Sequence, residues 1–531
     1  MSSLRISCGR LAALVVAAWS APALAMPPRP DPIIETQPDG TKIALRLLGN
    51  ESVNWKADLN GYPVERMANG AFAYVPPDVA PPNQQPLLVG KADPAALGIK
   101  KGMPPRPGVP NLQAPDRLPS PAGSAPEQRV APAGMVKNVV ILMKFSNHTT
   151  RTLPSVPDLT KLFNAPGGDP VMAPSGSVRD VYLANSYGKF DLTSTVFAWV
   201  TLPKSESYYA NGDSGMSSRM HEAITDALNL ADPMINFSQF DKDGDKFVDA
   251  ITFLHSGYGA EWGGTDSSGA YYKDRIWSHR WEIPTWTSAE GVKVSPYHIS
   301  PALWDTSGSA PGRIGVICHE TGHFFGMPDL YDGTTGAGVG AWCMMSNSWG
   351  FDGSQLYPPH FSAWCKTKLG WVTPTELTKS GVYTAPASAA SATVFKVSTG
   401  FPSGEYLLIE NRQATGFDRN IPGGTGGKGG LAVWHIDEKK GVNTDGGYPG
   451  QAGWPTNNKH YMVALLQADG KYDMEKDANR GDGDDLFRAG FKVKIDGSTV
   501  PNTHRYQDGM VSASRNDITE ISASGTSMTF R

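Results

Sequence analysis

The chain has 531 residues, too many for one compact core, and two to four folded units are expected. Its 47 basic and 51 acidic residues nearly cancel, leaving a net charge of −4, and no block of Lys or Arg points to nucleic acid or a membrane surface. Glycine (58) and proline (43) are abundant, which favours loops and β-structure over long helices.

Residues 1–25 read as a secretory signal peptide. Arg5 and Arg10 precede the apolar run LAALVVAAW, and Ala23–Ala25 ends in an Ala-x-Ala pattern, so cleavage is expected after Ala25 and the product outside the cell. That run is too short to cross a bilayer, and no later segment is apolar enough to do so. Cys318, Cys343 and Cys365 remain after cleavage; one disulfide is permitted, with Cys343–Cys365 a possible pair, and three buried thiols are the alternative. Nothing here fixes an oligomeric state.

Residues 26–75 read as a small β-rich propeptide, with strands in KIALRLLG and GAFAYVPP set between turns. Residues 76–135 form a Pro-rich linker, with 15 prolines between 76 and 132. A small front unit on an exposed tether suggests a zymogen. From Val136 the composition becomes core-like, and residues 136–371 form the next unit. A strand is predicted over Val136–Phe145, a helix near Met216–Leu230, a strand in AITFLHSG, a helix in PGRIGVICHETGHFF and another in PPHFSAWCKTKLG. Residues 372–531 read as an all-β, sandwich-like domain, with strands in TVFKV, EYLLIEN, GLAVWHID, YMVALLQ and SMTF. The overall class is α+β.

The chemistry is concentrated in ICHETGHFFGMPDLYD. In a helix His319 and His323 share one face and can hold a single metal ion, while Glu320 is turned off that face, close enough to reach a water on the metal. Two imidazoles and a free carboxylate are what a zinc hydrolase needs; a structural zinc site would gain nothing from Glu320. Gly326 can end the helix with a positive φ and let Asp329 return as third ligand. No glutamate occurs between Glu320 and Glu376, so the layout that takes its third ligand from a later helix has no donor; Asp332, Asp352 and His360 are the rivals.

The elongated motif resembles that of metzincin metallopeptidases, with Asp in place of the usual third His. Together with GAWCMMSNSWG, SVRDVYLANSYGKFDLT, TQPDGTKIALRLLGNE and EYLLIENRQ, it resembles the immune inhibitor A family of secreted bacterial metallopeptidases. The resemblance implies a zinc endopeptidase acting on polypeptides, with Met345 as the methionine turn beneath the metal and Met344 its neighbour. Some metzincins place a tyrosine two residues after that methionine; here the position is Asn347. The family's propeptide carries Gly-Asp-Glu where this chain has Gly49-Asn50-Glu51. No cysteine lies between Ala25 and Cys318, so any latency must use a carboxylate such as Asp39 or Glu51, or a blocked cleft.

Asp241, Asp243, Asp245 and Asp249 alternate around Gly244, which suits calcium, although Lys246 and Thr252 break the EF-hand pattern. A solvated turn is the alternative there, and it is the expectation for the acidic loop around Arg480-Gly481-Asp482. Ser527 in GTSMTF has no triad to support it, and His255, His279 and His435 read as structural. Two other classes of function stay open: a surface- or matrix-binding protein with a weak or inactive peptidase fold, and a zinc hydrolase of small esters.

Overall fold

A computed structural model describes residues 24–51, 53–75, 86–102, 130–333, 336–441, 443–444, 446–456 and 459–531. The expected leader lies outside the described residues up to position 23, as do 76–85 and 103–129 of the linker.

The chain enters as a two-residue strand, β1 (Leu24–Ala25), and then forms a front sheet of β2 (Ile33–Thr36), β3 (Lys42–Gly49), β4 (Asn54–Asp58), β5 (Pro63–Arg66) and β6 (Phe72–Tyr74), an antiparallel meander in chain order. Alternation in β3 puts Ile43, Leu45 and Leu47 inside. The linker is shorter than its proline content suggests. Residues 86–102 fold back on the front sheet, where Val89 and Ile99 join its core and Gln37 bonds the carbonyls of Phe72 and Val89.

The second unit begins with β7 (Gly134–Lys144), followed by α1 (Val156–Asn164), α2 (Val178–Asn185), β8 (Phe190–Thr201), α3 (Glu206–Ala210), α4 (Ser218–Ala231), β9 (Ile251–His255), β10 (His279–Thr287), β11 (Lys293–Pro301), α5 (Ile314–Phe324) and α6 (Ala363–Lys368). Its sheet runs β1-β10-β11-β9-β7-β8. β7 lies between parallel neighbours, which is why Val139–Met143 is an unbroken apolar run with no exposure. β10 is antiparallel to β11, and β1 pairs with its outer edge. The α6 helix starts later than its prolines imply: Pro358 and Pro359 precede it, and Ser362 caps it by accepting from the Cys365 N–H. Cys318, Cys343 and Cys365 are buried thiols, with the Cys343 and Cys365 sulfurs 3.7 Å apart.

Beyond Trp371 the described residues hold strands and short 3₁₀ turns. These are β12 (Thr375–Glu376), β13 (Tyr383–Pro386), β14 (Phe395–Val397), β15 (Glu405–Arg412), β16 (Gly423–Gly424), β17 (Gly427–Lys428), β18 (Gly430–Asp437), β19 (Val463–Leu465) and β20 (Ser527–Phe530). One five-stranded sheet, β12-β14-β15-β18-β19, is accompanied by the ribbons β13-β20 and β16-β17. Its two faces serve different cores. Leu407, Ile409, Leu431 and Val433 pack with Met528 and Phe530, whereas Leu408, Ala432, Trp434 and Ile436 join the large core that contains the α5 helix. Burial on both faces explains why EYLLIE and GLAVWHI lack clean alternation.

Candidate metal centre

All eleven residues of α5 are buried, and the helix packs on β10 and β11. A helix hydrophobic on every side needs close neighbours all round, and its glycines permit them. A Cβ on Gly322 would lie 2.4 Å from the Met345 sulfur, and one on Gly315 2.4 Å from the Ser348 carbonyl oxygen. Gly322→Ala is therefore expected to destabilise the fold by about 1–3 kcal/mol through overpacking, read as a lowered midpoint in urea.

His319 and His323 stand one turn apart. Each presents Nδ1 to a backbone carbonyl, that of Met344 at 2.9 Å for His319 and that of Met327 at 2.7 Å for His323. A carbonyl only accepts, so both rings carry their proton on Nδ1 and turn an Nε2 lone pair inward. Gly326, with φ of +86°, ends the helix, and the returning turn is pinned by the Leu330 N–H donating to the Met345 carbonyl at 2.8 Å. Asp329 Oδ1 then lies 3.1 Å from each Nε2, and the two Nε2 atoms lie 3.1 Å from one another. Donors bound at about 2.0–2.1 Å around a tetrahedral ion stand about 3.3–3.4 Å apart, so a zinc ion fits these three atoms with only slight spreading. Met345 touches both halves of the arrangement, through its sulfur beneath Gly322 and its carbonyl under the turn. Met344 serves too, by orienting His319.

The rival ligands point elsewhere. Asp332 accepts from the Gly446 N–H and the Tyr461 hydroxyl; Asp352 accepts from Ser354 and Asn420; His360 faces Asn185. His255, His279 and His435 are engaged away from the three donors: His279 bonds Trp277 and Tyr297, His435 bonds Glu405, and His255 takes the Gly257 N–H.

Glu320 is wholly buried beside the donors, and its Oε1 accepts from the Met26 N–H at 2.9 Å. Burial and the negative charge of Asp329 push its carboxyl well above the usual range. A divalent ion at the three donors would pull it back down. Burial also acts to raise Asp329, but the two imidazoles outweigh it and leave that carboxyl below its ordinary value.

Sequence reasoning missed Tyr331, Trp277 and Trp349. The Tyr331 hydroxyl donates to the Ala25 carbonyl at 2.5 Å, and the two indole N–H groups donate to the carbonyls of Met26 and Pro27 at 3.0 and 3.2 Å. Only the unexpected entry of residues 24–27 into this cleft shows what these side chains do, and no spacing in the sequence signals it.

The acidic loop differs from expectation. Asp241, Asp243 and Asp245 cluster, but Asp249 stands outside the group and caps the Lys242 N–H at 2.9 Å. The three clustered carboxylates also accept from the loop's own N–H groups, at Gly244, Lys246, Asp245 and Phe247. The Arg480-Gly481-Asp482 loop is not a free solvated loop. The Arg480 carbonyl accepts from the Ala341 N–H, and the neighbouring Asp485 accepts from Trp342, close to the methionine turn.

Residues 163–372 match the family description "Immune inhibitor A peptidase M6, catalytic domain". Among curated proteins, the chain is 29% identical over 218 residues to the pre-pro-metalloprotease PrtV of Vibrio cholerae, covering 36% of this chain and 23% of that protein. It is 33% identical over 227 residues to immune inhibitor A of Bacillus thuringiensis subsp. alesti, covering 37% and 32%. The chain thus spans about a quarter to a third of the length of these relatives. The solved structure of OgpA from Akkermansia muciniphila aligns with a TM-score of 0.21 at 13% identity, over 62% of this chain and 88% of that one, too loosely to inform the fold. No helix among the described residues is long and apolar enough to cross a membrane. Over residues 163–372 the chain is thus similar to the catalytic domain of immune inhibitor A peptidases.

Proposed function

We propose that the chain is a secreted, zinc-dependent endopeptidase made as a zymogen. The observation that carries this reading is the meeting of His319 Nε2, His323 Nε2 and Asp329 Oδ1 beside the buried carboxylate of Glu320. A zinc ion held by those three residues would supply Lewis acidity to a water molecule and to a substrate carbonyl. Glu320 is the general base: it takes the proton from the attacking water and delivers it to the amide nitrogen as the C–N bond breaks. The carbonyls of Met344 and Met327 hold the imidazoles in the tautomer that binds metal. Export follows from the leader pattern before Ala25 and makes extracellular polypeptides the substrate class.

Latency is the second half of the reading. Asp39 is unsuited to it, being exposed and paired with Lys91. Glu51 is buried, and its negative charge adds to the upward push that burial gives Glu320 and Tyr331. Met26 and Pro27, which remain after cleavage at Ala25, bond Glu320 and Trp349. Asp241, Asp243 and Asp245 bring carboxylate oxygens close enough together to share one ion such as calcium, and Asp249 stands outside that group.

The test is direct. Casein hydrolysis by the processed protein should disappear on chelation and return with zinc, with one zinc per chain by elemental analysis. Hydrolysis that survives a chelator at full rate, with no metal bound, defeats the proposal.

A further inference from the structure

Residues 25–27 run past Glu320 and Tyr331, and their peptide groups are held one by one. Leu24 and Ala25 pair antiparallel with Arg280 and His279 on the open edge of β10. The carbonyls of Ala25, Met26 and Pro27 accept in turn from Tyr331, Trp277 and Trp349, while the Met26 N–H donates to Glu320. A single amide, Ala25–Met26, therefore has its oxygen on a phenol and its nitrogen on the general base. Hydrolysis imposes the same demands on a cleaved amide: its nitrogen must receive a proton, and its oxygen must be stabilised as charge gathers there.

We propose that Tyr331 is a catalytic residue, donating its O–H to the carbonyl oxygen of the bond being cut, and that Trp277 and Trp349 hold the next two carbonyls of an extended polypeptide. The proposal rests on the peptidase reading above and goes beyond it by assigning the oxygen's donor and the leaving-side contacts. Water oxygen adds to the carbonyl carbon, its proton passes to Glu320, and the carbonyl electron pair moves onto the oxygen facing Tyr331. The C–N bond then breaks with its pair going to nitrogen, which takes the proton from Glu320. The products are a carboxylic acid and an amine, and Tyr331 keeps its proton throughout.

The surroundings suit that role. Tyr331 is 4% exposed, and its ring stacks on His319 with centroids 6.3 Å apart and planes at 27°. The Asn347 side-chain oxygen accepts from the Trp349 backbone N–H at 3.3 Å. Both clamps on the leaving side read backbone carbonyls. This favours substrates with at least two residues beyond the cut, whatever their side chains.

The experiment compares activated wild type, Tyr331→Phe and Glu320→Gln on a quenched fluorescent peptide, with zinc content and thermal midpoint measured for each. Tyr331→Phe should lower kcat about a hundredfold or more, the loss expected for one oxyanion donor, with KM and zinc nearly unchanged. A kcat close to wild type for Tyr331→Phe beside an inactive Glu320→Gln overturns this inference alone; an active Glu320→Gln overturns the peptidase mechanism instead. Should Tyr331→Phe fail to fold, a crystal of wild type with a peptide phosphinate decides. A phosphinyl oxygen on the Tyr331 hydroxyl supports the assignment, and one held by another donor refutes it.

Discussion

Glu320→Gln is expected to keep its zinc and lose at least about a hundredfold in casein hydrolysis, within the usual range for removal of a general base. The substitution is close to isosteric, and the amide oxygen of glutamine can still accept from the Met26 N–H that now bonds Oε1. His319, His323 and Asp329 hold their positions through the carbonyls of Met344 and Met327 and the Leu330–Met345 bond, none of which involves Glu320. Only proton transfer is removed, because an amide cannot take a proton from water near neutral pH. Turnover rate beside metal content checks it: unchanged activity rejects the mechanism, and lost zinc rejects the separation of binding from chemistry.

The second large effect concerns the front unit. Cutting the chain between residues 103 and 129 is expected to raise peptidase activity by on the order of tenfold or more. A tethered occupant acts at an effective concentration on the order of millimolar, and severing the tether lets it diffuse away. The occupant is well seated. Met26 is fully buried, and Ile33 lies where a Cβ on Gly263 would fall, 2.4 Å from its Cδ1. Lys56, paired with Glu35, also sits over the Tyr271 and Tyr272 rings. If leader removal cuts after Ala25, the amine of Met26 remains against Glu320, as a product amine does before it leaves. The measurement is activity per mole before and after limited proteolysis; an equally active uncut form refutes latency.

The meeting of His319, His323 and Asp329 could be read because its geometry is local. Four residues make a turn, so His319 and His323 share a face in any helix, and Gly326 marks where the helix must stop. The long apolar run of β7 was legible for the same reason. Other features depend on distant partners. The Met26–Glu320 bond joins residues 294 apart, and nothing within Met26–Arg29 announces it. Tyr331 follows Asp329 by two positions, and only the carbonyl it touches gives it a role. The strand β11 went unread because eight of its nine residues are buried and leave no alternation. Pro358 and Pro359 suggested an early start for α6, but the Ser362 hydroxyl supplies the cap and sets the boundary.

The sheet whose two faces belong to different cores makes the matched segment a unit of recognition and not a unit of folding. Leu408, Ala432, Trp434 and Ile436 complete the core that seats the α5 helix, although all four lie beyond residue 372. Arg412, on β15 with Leu408, donates to the Trp342 carbonyl and is paired with Asp418, bracing the chain just before Met344 and Met345. A protein trimmed to 163–372 would expose that apolar face and lose the brace. Inheritance therefore has to carry the two parts together, because a recombination joint at residue 372 separates halves of one core.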